Sequence, residues 1–161
     1  MSTGERRCGF AAPLATFLST GKEEWLTQLE EKEQEAGRPA SKEQIVAWQD
    51  CYDVLLEALP VVQKQHPELS ILFEYELPYE GGRRPDVILL NQEQVVILEF
   101  KRKSLILQAD VDQAATYARD IREYHYESRD RTVTALLVVT RLRDKLEANK
   151  DILVCSGDRL A

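Results

Sequence analysis

The spacing of apolar residues changes near residue 70, from the period of three to four residues typical of helices to the period of two typical of strands. Before that point, the pattern predicts a short helix after Pro13, a second helix over residues 22–36 and a third that begins at the capping-box sequence of residues 41–44. Pro60 is expected to end or bend the third helix. The first part of the chain is therefore predicted to be helical.

Strand patterns follow in the second part of the chain. Residues 71–77 alternate, which predicts a strand with its four large apolar residues on one face and Glu74 and Glu76 on the other. Two apolar runs at residues 87–90 and 95–98 are joined by four polar residues and predict a β-hairpin. The short link before the hairpin predicts that it is the antiparallel neighbour of the first strand.

The predicted fold class is α/β. Residues 109–126 predict a helix, and the β-branched apolar run of residues 132–140 predicts a strand that is covered on both faces. The last twenty residues predict a charged turn or short helix and then a strand over residues 152–155. From residue 41 the order is αβββαβ, so we expect a mixed sheet flanked by helices. We expect one domain, with residues 1–40 as an N-terminal helical extension packed on a core of residues 41–161.

The hairpin is predicted to bring charged residues together at one end. If its turn is centred between Gln92 and Glu93, Asp86 lies directly opposite Glu99, and opposed residues project from the same face. Lys101, two residues after Glu99, shares that face. Each residue taken singly is typical of an ordinary strand end, but two facing carboxylates repel each other unless a cation or a proton intervenes. Together the three residues predict a functional site.

Composition narrows the classes of function. The net charge of −7 argues against a generally basic nucleic-acid binder, although basic residues cluster around the ends of the hairpin. Three widely spaced cysteines indicate neither a disulfide framework nor a zinc site, so a cytoplasmic protein is expected. His66 and His125 are too isolated to indicate zinc. No apolar run approaches the roughly 18 residues of a membrane-spanning helix, so no membrane partner is expected.

Two short motifs resemble those of a known superfamily. Pro85-Asp86, followed after an apolar strand and a turn by Glu99-Phe100-Lys101, resembles the PD-(D/E)XK signature of the restriction-endonuclease-like nucleases. That superfamily carries the signature on the second and third strands of an αβββαβ core. The resemblance therefore implies a restriction-endonuclease-like core here, with the N-terminal helices added in front of it.

Further stretches extend the resemblance to roughly residues 10–139. Gln113 and Tyr117 resemble the QxxxY element that follows the lysine in RecB-type members. The segments EYELPYEGGRRPDVILL, LEFK and DQAATYARDI, with the helix that contains Trp48, are similar to the nuclease-like N-terminal region of bacterial helicase-like proteins related to the Schlafen group. Such proteins usually carry a nucleotide-hydrolysing motor after this region. No GxxxxGK[ST] loop occurs in the chain, so we expect it to be a freestanding domain or, preferably, a fragment of a longer protein.

The resemblance implies a nuclease that hydrolyses phosphodiester bonds with Mg²⁺ or Mn²⁺ as cofactor, acting on DNA in preference to RNA. Asp86 and Glu99 would bind the cation, which takes one or two carboxylates in such sites. The backbone carbonyl of Phe100 would supply a further ligand. Lys101 would orient the attacking water or help to deprotonate it.

Other residues are expected to support substrate binding. Gln113 and Tyr117 lie on one face of the predicted helix, where they could hydrogen-bond to the lysine, the water or the DNA backbone. Basic residues near the hairpin are expected to contact phosphates without reading bases. These residues are Arg83, Arg84, Arg102 and Lys103.

Many members of the superfamily add a further acidic ligand, and the sequence leaves its identity open. Glu76 is favoured as a metal ligand because it lies nearest the charged end of the hairpin in the simplest antiparallel register. The other candidates are Glu74 on the same strand and Asp50, Asp53 and Glu57 on the preceding helix.

Two alternatives to a nuclease stay open. The first is a catalytically inactive module with a nuclease fold that binds nucleic acid or a protein partner, such as an ATP-dependent motor in the same or another chain. The second is an accessory domain that forms homo-oligomers through its N-terminal helices, over residues 17–29. The acidic run of residues 30–35 is expected to be a solvated helical face, and Trp25 and Trp48 are expected to be core anchors.

Overall fold

Seven strands form one mixed sheet at the centre of the computed structural model, which describes residues 8–77, 84–124, 130–149 and 152–160. The sheet order is β1-β2-β3-β4-β5-β7-β6. Pairing is antiparallel from β1 to β4, parallel from β4 through β5 to β7, and antiparallel again at the β6 edge. The strands are β1 (Phe10–Pro13), β2 (Ser70–Phe73), β3 (Val87–Leu90), β4 (Gln94–Lys101), β5 (Thr132–Val139), β6 (Leu146–Asn149) and β7 (Ile152–Ser156).

Helices cover both faces of this sheet. One face packs against the N-terminal helices and the other against the helix between β4 and β5. The helices are α1 (Leu14–Leu18), α2 (Lys22–Glu35), α3 (Lys42–Gln65) and α4 (Gln108–Tyr124), and a short 3₁₀ turn follows β7 at Gly157–Arg159. The mixed α/β class predicted from the sequence is thus confirmed.

The first core lies between the sheet and helices α1 to α3. Phe17 and Trp25 are completely buried there and make edge-on or tilted ring contacts with Tyr52 of α3 and Phe73 of β2. Aromatic pairs of this kind add about 0.5–1.5 kcal/mol to the burial of their area. Helices α1 and α2 therefore share one core with α3 and the sheet, and the division at residue 40 stays a prediction.

The second core lies between the sheet and α4. Val111, Ala114 and Ile121 of α4 pack against Ile97 of β4 and Leu137 of β5, and all five are buried. Alternate residues of β4 thus face opposite cores, with Val96 and Leu98 in the first and Val95 and Ile97 in the second. This alternation puts Glu99 and Lys101 on the α4 side of the sheet.

The predicted hairpin and its register are confirmed. Val87 pairs with Leu98 and Leu90 with Val95, which is the register that centres the turn between Gln92 and Glu93. The Asn91 side chain closes the turn, because its Oδ1 accepts hydrogen bonds from the amides of residues 93 and 94 at 2.8 Å. An Asn side chain that bonds the backbone ahead of it is a common way to fix a turn.

Three elements differ from the prediction: two additional strands and the end of the third helix. Strand β1 precedes α1 and was not predicted, and β6 replaces the predicted charged turn or short helix. Helix α3 continues through Pro60 to Gln65, so the prediction that Pro60 ends it is wrong, and the alternative that Pro60 bends it stays a prediction. Leu59 and Val62 pack on the first core on either side of Pro60. This burial offsets the missing N–H of the proline.

The largest difference lies after β2. The predicted strand over residues 71–77 ends at Phe73, because Glu74 adopts a left-handed backbone conformation with φ of 54°. The chain therefore changes faces: Ile71 and Phe73 pack in the first core, whereas Tyr75 and Leu77 pack on the second. The prediction that these four residues share one face is wrong.

The capping residue of α3 offers a local test of the fold. Ser41 Oγ accepts a hydrogen bond from the amide of Gln44 at 3.1 Å, as the capping-box pattern predicts. We expect Ser41→Ala to lower the free energy of unfolding by about 1 kcal/mol, since one amide at the helix N-terminus loses its acceptor. Ser41→Asp keeps an acceptor and should be close to the wild type. Urea unfolding measures both, and an alanine variant as stable as the wild type would contradict the cap.

Helix length also bears on membrane insertion. Within the part of the chain that the structure describes, none of the helices is both long enough and apolar enough to cross a membrane.

Candidate active site

Asp86 and Glu99 lie opposite each other where β3 and β4 meet the same end of the sheet. The pairing of Val87 with Leu98, continued by one residue, places them face to face. Their carboxylates are held by backbone amides: Phe100 N donates to Asp86 Oδ2 at 2.8 Å, and Asp86 N donates to Glu99 Oε2 at 3.4 Å. Both side chains are therefore fixed by the strands that carry them.

Glu74, the first residue after the adjacent strand β2, joins them. Phe73 pairs with Val87, and the next step places Glu74 beside Asp86, whose carbonyl accepts a hydrogen bond from Glu74 N at 3.1 Å. The left-handed conformation of Glu74 directs its carboxylate towards α3, where Trp48 Nε1 donates to Glu74 Oε1 at 2.8 Å. We call Glu74, Asp86 and Glu99 the acid cluster.

Burial and mutual repulsion shift the acid cluster towards its protonated form. Burial, and then the charge of Asp86, raise the pKa of Glu74 to about 7. Burial raises the pKa of Asp86 to about 6, although the Phe100 amide, Lys101 and Arg84 oppose it. Burial, followed by the charge of Asp86, also raises the pKa of Glu99 well above its ordinary value. The cluster therefore gains most from a proton or a cation placed among its oxygens.

Lys101 lies beside the cluster on the α4 side. Its Nζ is 3.6 Å from Glu99 Oε1 and 3.9 Å from Oδ1 of Asp110, and about a quarter of its side chain is exposed. Asp110, in the first turn of α4, is itself buried and accepts a hydrogen bond from Lys103 Nζ at 3.1 Å. Asp110 was not predicted as a site residue. The sequence signal that could have identified Asp110 is its place in the first turn of α4, the helix that follows the strand carrying Lys101.

Gln113 and Tyr117 lie on one face of α4, as predicted. Gln113 Nε2 donates to Tyr117 Oη at 3.2 Å, and Tyr117 is 4% exposed with its ring in the second core. Their predicted contacts with Lys101, with water and with DNA stay predictions.

The basic residues that were predicted to contact phosphate differ in their surroundings. Arg84 is mostly buried and forms ion pairs with Glu33 of α2 and with Glu74. Lys103 is paired with Asp110. Arg102 is exposed. Arg83 lies outside the described residues. Because Arg84 is already paired with two acids inside the protein, its surroundings do not favour the predicted phosphate contact.

Glu76, the favoured third acid, lies away from Asp86. It binds Arg38 at 2.6 Å and Lys32 at 3.0 Å, and the hydrogen bonds from these cations lower its pKa. The expected register failed because β2 ends at Phe73, so the residue that reaches Asp86 is Glu74. The position of Glu76 does not support its use as a metal ligand.

The three acids of α3 lie outside the cluster as well. Asp50 accepts a hydrogen bond from Thr140 Oγ1 at 2.7 Å. Asp53 pairs with Lys22, and Glu57 is exposed. Glu74 is therefore the candidate, among those left open, that the structure brings to the hairpin acids.

Two residues of α2 belong to the surroundings of the site and were missed. Lys32 and Glu33 were predicted to lie on a solvated face, yet they are 5% and 2% exposed. Their burial could not be predicted, because the sequence does not show which residues of a charged run pair with distant residues of opposite charge. Trp48, predicted as a core anchor, is buried and also serves as a donor to Glu74.

The acid cluster fits a hard divalent cation in its chemistry. Mg²⁺ and Mn²⁺ prefer carboxylate oxygens, and Mg²⁺ keeps several waters while binding one or two carboxylates. A cation would also offset the burial that raises all three pKa values and the charge of Asp86 that further raises those of Glu74 and Glu99. Among the described residues, however, no group of three or more His, Cys, Asp or Glu side chains is arranged as a ready-made ligand set. Two carboxylates with waters are thus the arrangement that the residues allow.

Comparison of the chain with family models, with curated proteins and with solved structures finds no match. Support for a function therefore comes from the chemistry of the acid cluster, the position of Lys101 and the motif resemblance.

Proposed function

We propose that this protein is a metal-dependent nuclease domain with a restriction-endonuclease-like core, which hydrolyses phosphodiester bonds in DNA or, as the second choice, RNA. The observation that carries the proposal is the placement of Asp86 and Glu99 face to face on adjacent strands, with Lys101 3.6 Å from Glu99. The element order from α3 to β5 is αβββαβ, which is also the order of that superfamily's core.

Asp86 and Glu99 would hold the Mg²⁺ or Mn²⁺ together with waters, and Glu74, in place of Glu76, would be the third acid beside them. The bound cation would supply positive charge against the negative charge that builds up on the phosphate in the transition state. The carbonyl of Phe100 remains a proposed further ligand. The amides of Phe100 and Asp86 hold the two carboxylates in place before any cation arrives.

Lys101 would act on the attacking water. Its ammonium group is positioned by Glu99 and Asp110 and remains partly exposed, so a water and a phosphate can approach it. There it can orient the water and shield negative charge near the phosphate. The Gln113–Tyr117 pair on α4 would add hydrogen bonds to the substrate backbone, and the exposed Arg102 would contact phosphate.

The alternative is a module of the same fold that binds nucleic acid or a protein without cutting. It is favoured by the lack of a ready-made metal-ligand group within the described ranges. A module that only binds has no need of a buried acid cluster whose carboxylates repel each other. For this reason the nuclease is preferred. In either case we propose that a helicase-like motor, in the same longer protein or another chain, works with this domain.

Incubation of the purified protein with labelled DNA and RNA tests the proposal. We expect cleavage in Mg²⁺ or Mn²⁺ and none in EDTA, because only the cation can offset the negative charge of the phosphate next to the acid cluster. A calorimetric titration with Mn²⁺ separates the alternatives, since the binding module would show nucleic-acid affinity without a metal site. Cleavage that proceeds equally well in EDTA would rule out the metal-dependent mechanism.

A further inference from the structure

A buried chain of charges links helix α2 to the acid cluster. Glu33 of α2 is 2% exposed, and its carboxylate accepts a hydrogen bond from Arg84 Nη1. The same guanidinium places its Nε 3.7 Å from Glu74 Oε2. Arg84 thus lies between an acid of the N-terminal helix and an acid of the candidate site, 51 residues beyond Glu33 in the sequence.

A neighbouring ion-pair set fixes the same helix to the chain after β2. Lys32, next to Glu33, binds Glu76 at 3.0 Å, and Arg38 binds Glu76 at 2.6 Å. Glu76 lies two residues beyond Glu74. The C-terminal half of α2 therefore holds the chain on both sides of the site: through Glu76 after β2 and through Arg84 before β3.

The carboxylate of Glu74 is held from two directions. Trp48 donates to Oε1 from α3, and the Arg84 guanidinium lies near Oε2. The Trp48 hydrogen bond holds Oε1, and the charge of the Arg84 guanidinium attracts Oε2 from 3.7 Å, so the two contacts together restrict rotation of the carboxylate. Groups of this kind, which contact the acids of a metal site and not the metal, orient those acids and tune the affinity for the metal.

We propose that Glu33 and Arg84 are positioning residues: Glu33 fixes the guanidinium of Arg84, and Arg84 with Trp48 fixes Glu74 beside the two acids that would hold the cation. This inference rests on the proposed function. It gives the N-terminal helices a role in the site itself. It also replaces the phosphate contact predicted for Arg84, because a side chain that is 16% exposed and enclosed by two acids has little surface to offer a substrate.

Four variants test the inference against a purely structural role. They are Arg84→Gln, Glu33→Gln, the double variant of both, and the control Glu31→Gln, whose side chain is exposed on the same helix. The first measurement is the Mn²⁺ affinity by calorimetry. We expect it to fall about tenfold or more in both single variants, since the loss of groups that orient metal ligands commonly has this effect. The control should match the wild type.

The double variant decides between the two roles. Removal of one partner leaves an unpaired buried charge, whereas removal of both can restore stability. If the pair only stabilises the fold, the double variant recovers the Mn²⁺ affinity together with the unfolding midpoint, and the inference is overturned. If Arg84 positions Glu74, the Mn²⁺ affinity stays low in the double variant whether or not the midpoint recovers, because Glu74 still lacks the guanidinium.

A second measurement does not depend on the metal. The chain has two tryptophans, so its NMR spectrum has two indole N–H signals, which a Trp48→Phe variant assigns. The Trp48 signal reports the hydrogen bond to Glu74, and the Trp25 signal serves as the internal reference because Trp25 Nε1 is buried without a partner among the described residues. We expect Arg84→Gln and Glu33→Gln to shift the Trp48 signal and Glu31→Gln to leave it in place.

The two measurements separate the failure of this inference from the failure of the nuclease proposal. A wild-type protein that binds no Mn²⁺, with a Trp48 signal that still moves in Arg84→Gln, would overturn the metal site and leave the positioning of Glu74 standing. A Trp48 signal that stays unchanged in both single variants would overturn the positioning role, whatever the wild type binds.

Discussion

Replacement of Asp86 by asparagine is expected to lower Mg²⁺-dependent cleavage of labelled DNA by about 10³-fold or more. The bound cation is worth several kcal/mol in such reactions, and about 1.4 kcal/mol corresponds to a factor of ten in rate. Asparagine keeps the size of the side chain and an oxygen that can accept the hydrogen bond from Phe100 N. The loss should therefore come from the missing charge and not from a disrupted fold.

The control for this variant is Asp53→Asn. Asp53 lies on α3 with an exposed side chain paired to Lys22, away from the acid cluster. We expect it to cleave at the wild-type rate, because exposed pairs contribute little. Single-turnover rates with enzyme in excess measure the chemical step in both variants. Equal rates for Asp86→Asn and the wild type would remove Asp86 from the site.

The acid cluster should also make the metal-free protein less stable as the pH rises from about 4 to about 7. The pKa of Glu74 rises from 4.5 to about 7 on folding and that of Asp86 from 3.8 to about 6. Because the folded state binds more protons than the unfolded state in this window, its free energy of unfolding falls as the pH increases through it. We expect a loss of several kcal/mol, since each unit of pKa difference between the two states corresponds to about 1.4 kcal/mol.

Urea unfolding in EDTA at pH 5 and at pH 7.5 measures this loss. Glu74→Gln should reduce the difference between the two pH values, whereas Glu43→Gln, at an exposed position of α3, should leave it unchanged. Mn²⁺ added at pH 7.5 should restore stability, because a ligand that binds only the folded state stabilises it by mass action. A wild-type protein that is as stable at pH 7.5 as at pH 5 in EDTA would contradict the buried cluster.

The hairpin and its opposed acids could be predicted because they depend on local signals. Two apolar runs and a polar turn fix which residues pair, and one register then places Asp86 opposite Glu99. The same logic located Gln113 and Tyr117 on one helical face. Strands β1 and β6 escaped prediction because their sequences, FAAP and LEAN, consist largely of residues that are uncommon in strands.

The third acid could not be predicted by the same means. The choice between Glu74 and Glu76 depends on a single backbone conformation, the φ of 54° at Glu74, and the alternating pattern of residues 71–77 extends past it unchanged. The ion pairs of Glu33 and Lys32 depend on contacts 51 and 44 residues away in sequence, which no local period encodes. The packing of α2 in the fold determines which residues form these ion pairs.

Anomalous diffraction from a crystal soaked in Mn²⁺ tests the central claim most directly. We predict a peak bounded by the carboxylates of Asp86 and Glu99, with Glu74 beside it, and no such peak in an Asp86→Asn crystal treated in the same way. A wild-type crystal at saturating Mn²⁺ that shows no anomalous density between Asp86 and Glu99 would contradict the claim.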